Sequence, residues 1–205
     1  MRVLLVDDHA LLREGLVLLI AAVDATVQVD HAATIAQALQ RLAAGPAPDL
    51  VLLDLVLPDA IGLDGLARVR EAAESLPVVV LSGHDAAQTV RECIDAGAMG
   101  FIPKSVSSAT MIAALHAVIA GNVWLPPQLI DAVAPAPAPP SLLERLTPRQ
   151  REVLACIVRG MTNKAIGQKL GITELTVKSH VTAVLEALAV HNRTGAVFAV
   201  RHLRL

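Results

Sequence analysis

The stretch DLVLLDLVLPD at residues 49–59 is an apolar run that is interrupted by one carboxylate, Asp54. A short apolar run without alternation, here residues 49–54, predicts a strand buried on both faces, as in a parallel sheet covered by helices. Four similar runs complete the pattern: RVLLV at 2–6, TVQVD at 26–30, PVVVL at 77–81 and GFIPK at 100–104. Amphipathic helical patterns lie between them, so the sequence predicts an α/β doubly wound sheet of five parallel strands.

The charges divide the 205 residues into two parts. Residues 1–140 contain 7 Lys/Arg and 15 Asp/Glu, whereas residues 141–205 contain 10 Lys/Arg and 4 Asp/Glu. The segment APAPAPP at 134–140 cannot form a helix, because proline blocks it and forces the preceding residue into an extended conformation. We therefore predict an acidic domain at 1–122, a Pro/Ala-rich linker at 123–142 and a basic domain at 143–205.

Composition excludes several classes of protein. Two cysteines, without a CxxC motif, predict neither a disulfide framework nor a zinc site, and they are typical of a reducing cytoplasm. The longest apolar runs are too short to span a membrane, and the N-terminus does not have the pattern of a signal peptide. Aromatic residues make up 1% of the chain, which argues against a fold that stacks single-stranded bases.

Polar side chains follow four of the predicted strands. Asp7 and Asp8 follow the first strand, Asp54 ends the third, Ser82 follows the fourth and Lys104 ends the fifth. In an open parallel sheet, ligands bind at the carboxyl ends of the strands. Clustered carboxylates repel one another unless a cation is present, and Mg²⁺ prefers such oxygen ligands.

Each aspartate alone has a simpler interpretation, as a helix cap or a loop cap. Five suitable groups at four strand ends favour a site that holds a metal ion and a phosphoryl group.

The motifs LLVDDH at 4–9, LVLLDLVLPDAIGLDGL at 50–66, VVVLSGHD at 78–85 and DAGAMGFIPKS at 95–105 resemble the receiver domain of two-component response regulators. The resemblance implies a flavodoxin-like fold in which Asp54 accepts a phosphoryl group from a histidine kinase. It implies that Asp8, Asp54 and the backbone carbonyl of Val56 bind Mg²⁺, with Asp7 acting through water. Lys104 and Ser82 would contact the phosphoryl group.

Phe101 matches the aromatic residue that receiver domains use as a rotameric switch. Plain packing in the core is the alternative interpretation of this side chain.

The basic part has the pattern of about four helices. Thr147-Pro148-Arg149-Gln150 is a capping box with proline at the first helical position, and Gly160 ends that helix. Further helices are predicted from about Thr162 to Leu170, after Thr173 and after Asn192. The second and third are joined through a turn that contains Gly171, which is typical of a helix-turn-helix. An ordinary solvated helix face is the alternative reading of the third helix.

The motifs LTPRQREVL at 146–154, GMTNKAIGQKLGIT at 160–173, TVKSHV at 176–181 and NRTGAV at 192–197 resemble the LuxR-type DNA-binding domain. Together with the receiver, this domain order is that of the NarL/FixJ family. The resemblance directs Lys178, Ser179 and Thr182 toward base edges in the major groove. Charge and position make four further residues candidates for phosphate contacts: Thr176, Lys164, Lys169 and Arg193.

The resulting hypothesis is a phosphorylation-dependent transcription regulator that binds double-stranded DNA as a homodimer and is not an enzyme beyond its own phosphotransfer. A Mg²⁺-dependent aspartyl phosphatase is the first alternative; such enzymes have a second acid two residues after the nucleophile, where this chain has Val56. A receiver controlled by protein contact alone is the second. The charges also predict that, without phosphate, the acidic domain lies against the third or fourth helix of the basic domain.

Overall fold

The structure is a computed structural model that describes residues 1–74, 76–133, 143–190 and 192–200. Its strands are β1 Arg2–Val6, β2 Gln28–Ala32, β3 Leu50–Asp54, β4 Val56–Leu57, β5 Ala60–Ile61, β6 Val78–Ser82 and β7 Gly100–Pro103. The order in the main sheet is β2-β1-β3-β6-β7, and every neighbouring pair is parallel. The prediction of a five-stranded, doubly wound parallel sheet is confirmed.

Helices cover both faces of this sheet. The helices of the acidic part are α1 Ala10–Val23, α2 Ile35–Ala44, α3 Leu63–Ala72, α4 Ala87–Asp95 and α5 Ser108–Ile119. Alternate residues of the strands point to opposite faces, so β1 contributes Leu4 and Val6 to a core with α2, α3 and α4. It contributes Val3 and Leu5 to a second core with α1 and α5.

The second strand differs from its prediction at residues 26–30. It lies two residues later because β1 pairs Arg2 with Gln28 and Val6 with Ala32. β2 is an edge strand with exposed polar residues, so its sequence pattern defines its register weakly. The hairpin formed by β4 and β5 was not predicted, since each of its strands has only two residues.

The basic part forms a separate helical core. Its helices are α7 Pro148–Val158, α8 Asn163–Leu170, α9 Glu174–Ala187 and α10 Arg193–Val200. The capping box is present, with both Thr147 and Gln150 making their hydrogen bonds. Gly171 ends α8 in the left-handed conformation, which sets the turn into α9. The predicted all-α helix-turn-helix domain is confirmed.

The chain between the two parts turns back over the core that the main sheet forms with α2, α3 and α4. A 3₁₀ turn at Pro127–Leu129 leads into α6 Ile130–Val133, which packs against α4. The predicted proline-rich spacer at 134–140 lies outside the described residues. No helix in the described part of the chain is long and apolar enough to cross a membrane.

The two parts touch through backbone at two glycines with positive φ. Gly121 follows α5 (φ +85°) and Gly160 follows α7 (φ +73°). A Cβ on either glycine would clash with the backbone of the other. Side-chain contacts extend this interface: Asn192 Nδ2 donates to the carbonyl of Ile94 at 2.6 Å, and Thr194 Oγ1 donates to that of Ala98 at 2.9 Å.

We predict that Gly160→Ala separates the two parts of the chain. An added Cβ would overlap the backbone of Gly121 and lie 2.8 Å from the amide nitrogen of Asn122. Gly171→Ala is the matched control, because its φ of +66° imposes a similar backbone cost while no described atom lies within 4 Å of the new Cβ. Small-angle X-ray scattering should show a larger radius of gyration for Gly160→Ala than for Gly171→Ala. Equal radii would contradict this interface.

Candidate functional site

The register of the sheet brings the predicted site residues to one edge. β1 and β3 end together, since Val6 pairs with Leu53, and the next residues along are Asp7 and Asp54. Ser82 ends β6 opposite Pro103, and the amide of Lys104 donates to the carbonyl of Ser82 at 2.8 Å. Three carboxylates, a hydroxyl and an ammonium from four strands therefore converge, as the sequence predicted.

The ammonium of Lys104 lies between two buried carboxylates. Its Nζ is 2.7 Å from Asp54 Oδ2 and 2.7 Å from Asp7 Oδ2, while the side chains of Asp7 and Asp54 are 0% and 3% exposed. Among the described residues, Asp7 Oδ2 is buried without a well-directed hydrogen bond, so Lys104 neutralises it by charge alone. Burial disfavours the charged form of Lys104, but bonds and charges from Asp54 and Asp7 prevail and raise its pKa.

The remaining oxygens at this edge are held by backbone amides. Asp54 Oδ1 accepts a hydrogen bond from the N–H of Val56 at 3.2 Å, and Ser82 Oγ accepts one from the N–H of His84 at 3.1 Å. Asp7 Oδ1 accepts from the N–H of His9 at 2.7 Å. These short loops fix the directions in which the carboxylate and hydroxyl groups point.

The acidic edge fits a divalent cation. One possible ligand atom from each of Asp7, Asp8, His9 and Asp54 lies within 4.8 Å of the others. Oxygen ligands and one imidazole are suitable donors for such ions.

Two residues at this edge were missed by the sequence reasoning. His9 contacts both neighbouring aspartates, and Arg13 donates to the carbonyl of Asp7 at 2.6 Å. The position of His9 directly after Asp7-Asp8 was the available signal. The direction of its ring depends on the start of α1 and could not be read from the sequence.

Phe101 is fully buried in the core that faces α4. Its amide donates to the carbonyl of Trp124 at 2.9 Å, so the chain leaving α5 lies along β7. A Cβ on Gly100 would come within 2.6 Å of that same carbonyl, which explains the glycine at this position. The backbone of β7 at Phe101 and the start of the linker are thus in direct contact.

The candidate DNA-contacting residues divide into an exposed set and one inward residue. The exposed set is Lys178, Ser179, Thr182, Thr176, Lys164 and Lys169. Arg193 instead donates to the carbonyls of Ile157 and Met161, and its burial lowers its pKa to about 10. Arg193 therefore joins α10 to the end of α7 in this conformation, and its phosphate contact stays a prediction.

Helix α9, which is the third helix predicted for the basic part and its predicted recognition helix, faces the acidic domain. Lys178 on α9 forms an ion pair with Glu74, which follows α3. Lys178 and Thr182 border a cleft of about 290 Å³ whose opposite wall includes Arg70 and Asp95. On α10, Phe198 is 9% exposed and packs with the core that the main sheet forms with α2, α3 and α4.

Comparisons with known proteins agree with this geometry. Residues 3–116 match the response regulator receiver domain, and residues 144–200 match the bacterial regulatory proteins of the luxR family. The glycerol metabolism activator of Pseudomonas putida is 37% identical, with 97% of this chain and 94% of the relative covered. The nitrate/nitrite response regulator protein NarL of Escherichia coli K12 is 35% identical, with 99% and 96% covered.

Solved structures are similar as well. A LuxR family DNA-binding response regulator from Silicibacter pomeroyi is 35% identical over 62% of this chain and 98% of its own, with a TM-score of 0.55. RcsB of Salmonella enterica serovar Typhimurium, bound to promoter rprA, shares the fold over the whole of both chains at 20% identity and a TM-score of 0.58.

We predict that Lys104→Met destabilises the acidic domain by about 3 kcal/mol, because it leaves two buried carboxylates without their counter-charge. Because the pKa of Lys104 is raised above its ordinary value, this stabilisation is present at neutral pH. It is lost only as the pH rises through the raised pKa of Lys104 in the folded protein. Urea unfolding of the full chain measures the loss. Adding Asp7→Asn should recover much of it by removing one carboxylate charge. Unchanged stability in Lys104→Met would contradict the role of the ion pair.

Proposed function

This chain belongs to the NarL/FixJ family of response regulators, and on that premise we propose how its own residues carry out phosphorylation-regulated control of transcription. Asp54 accepts a phosphoryl group from a histidine kinase, and the basic domain binds promoter DNA. The observation that carries this proposal is the convergence of Asp54, Asp7, Asp8, Ser82 and Lys104 at one edge of the sheet.

In the transfer step, a carboxylate oxygen of Asp54 attacks the phosphorus of a phosphorylated histidine. The new O–P bond forms as the N–P bond breaks, and the imidazole leaves with a proton from solvent. Asp8, Asp54 and the Val56 carbonyl would hold Mg²⁺, with Asp7 acting through water, and the bound cation would offset the negative charge of the phosphoryl oxygens. Lys104, already hydrogen-bonded to Asp54, moves to a phosphoryl oxygen.

Ser82 provides the second contact to the product. Ser82 is buried, with 1% of the residue exposed, and its hydroxyl oxygen accepts from the His84 amide, which leaves its O–H free to donate toward new phosphoryl oxygens. Movement of Ser82 and Lys104 toward the phosphoryl group displaces β6 and β7 at their ends. Because Phe101 lies on β7 and its amide binds Trp124, this displacement reaches the start of the linker.

The unphosphorylated form is closed in this proposal. Lys178 is engaged by Glu74, and the two domains share the contacts of Asn192, Thr194 and Phe198. Recognition-helix residues that face the receiver cannot enter a major groove at the same time. Phosphorylation therefore favours an open form, which pairs as a homodimer on DNA.

We predict that acetyl phosphate with Mg²⁺ adds one phosphoryl group to the wild-type protein and none to Asp54→Ala. Asp54 is the only member of the cluster for which we propose covalent bonding. Intact-mass spectrometry measures the addition, and Asp64→Ala, which removes an exposed carboxylate from α3, is the control.

Lys104→Ala should still be modified to some extent but should not gain DNA affinity. Equal uptake by wild type and Asp54→Ala would contradict the assignment, and turnover of phosphomonoesters would favour the phosphatase alternative.

A second prediction concerns the closed form. Glu74→Lys places two like charges at the contact with Lys178, so unphosphorylated protein should bind DNA about fivefold more tightly, which corresponds to about 1 kcal/mol. Glu71→Lys, within α3, makes the same change of charge close to Glu74. It is the control for a general increase in DNA affinity that any added positive charge would cause. The duplex is an operator selected from random-sequence DNA with the fragment 141–205.

Gel-shift titration at two salt concentrations compares these proteins with that fragment. The fragment should bind more tightly than the unphosphorylated full chain, and its binding should weaken steeply with salt. Equal affinity of the fragment and the full chain would mean that phosphorylation acts through dimerisation alone.

A further inference from the structure

His9 occupies an unusual place beside the acidic site. It is the residue before α1, and its side chain makes no hydrogen bond to the start of that helix. Its ring turns back instead: Nδ1 lies 2.8 Å from Asp8 Oδ1 and 3.2 Å from Asp7 Oδ1, although the side chain is 64% exposed. The Nδ1 atom of the imidazole thus contacts both carboxylates that follow β1.

Lys104 and His9 approach Asp7 from opposite edges of its carboxylate. Lys104 contacts Oδ2 of both Asp7 and Asp54. His9 contacts Oδ1 of Asp7 with both its amide and its ring, and the ring also reaches Asp8. The Lys104 side is therefore available for an anionic phosphoryl group, while the His9 side combines two carboxylates with one imidazole nitrogen.

The distances on the His9 side suit two ligands of one metal ion. Neighbouring ligands at right angles in an octahedral site with bonds of about 2.1 Å are about 3.0 Å apart. The observed 2.8 Å between His9 Nδ1 and Asp8 Oδ1 is close to that value, and Asp54 completes a group within 4.8 Å.

We propose that Nδ1 of His9 is a ligand of the cation that Asp8 and Asp54 hold, and that it makes this receiver favour Mn²⁺ and related transition ions over Mg²⁺. The proposal rests on the metal site of the proposed function. Imidazole nitrogen binds first-row transition ions more strongly than it binds Mg²⁺, which prefers oxygen. The backbone N–H of His9 donates a hydrogen bond to Asp7 Oδ1, which fixes the His9 backbone at the start of α1, so the ring is already oriented toward the site.

The test adds Mn²⁺ alone or Mg²⁺ alone to the full-length protein. Pulsed electron paramagnetic resonance of bound Mn²⁺ should show coupling to an imidazole nitrogen in the wild type, and this coupling should be lost in His9→Asn. Calorimetric titration should show that His9→Asn weakens Mn²⁺ binding by about tenfold while Mg²⁺ binding changes much less. His84→Asn is the matched control, because His84 lies at the same edge of the sheet but outside the acidic group.

The outcomes separate this inference from the proposed function. One outcome is that the wild type binds Mn²⁺ without imidazole coupling and that Asp54→Asn loses this binding. In that case the role of His9 is overturned and the Asp54 site stands. An imidazole coupling that survives in His9→Asn but disappears in His84→Asn also overturns it. If the wild type binds neither ion, the metal site of the proposed function fails, and the role of His9 fails with it.

Discussion

The buried ammonium of Lys104, held between Asp7 and Asp54, is the interaction on which the rest of the receiver depends. Two carboxylates that are almost fully buried side by side repel each other strongly unless a cation lies between them. The lysine reaches them only because β7 lies beside β6, which lies beside β3. The carboxylate oxygen that Lys104 contacts on Asp54 can be replaced, since a phosphoryl group on Asp54 offers the lysine stronger acceptor oxygens. The constraint that stabilises the resting site is therefore the one that phosphorylation changes.

β7 connects this charge chemistry to the rest of the chain. Lys104 directly follows the strand, Phe101 lies within it, and the amide of Phe101 binds the carbonyl of Trp124. Gly100 lets the linker approach so closely that even one added carbon would meet that carbonyl. Packed cores respond to such a displacement as units rather than by continuous deformation, because they have few voids. A change at Lys104 thus has a short physical route to the segment that joins the two domains.

The sequence predicted the sheet because buried parallel strands are nearly continuous apolar runs, and it predicted the site because such strands end at one edge. It also predicted the helices of the basic domain from Thr147, Thr162 and Thr173, which cap them. Features that depend on tertiary contacts were harder to predict.

Leu11 belongs to the apolar pattern of α1 yet is 84% exposed, and β2 follows its pairing with β1 rather than its own pattern. The inward turn of Arg193 and the ring direction of His9 depend on carbonyls and carboxylates that only the folded chain brings near.

The strength of the closed form follows from the kinds of contact that make it. The ion pair of Glu74 with Lys178 is exposed on both sides, so it contributes about 1 kcal/mol at most and weakens with salt. The hydrogen bonds of Asn192 and Thr194 each add about 1 kcal/mol. Reversing a 99:1 equilibrium requires about 5.5 kcal/mol of differential interaction, more than one phosphoryl contact provides. A closed form held by a few modest polar contacts and the packing of Phe198 is within reach of a phosphoryl group acting together with dimerisation and DNA, whereas a large apolar interface would not be.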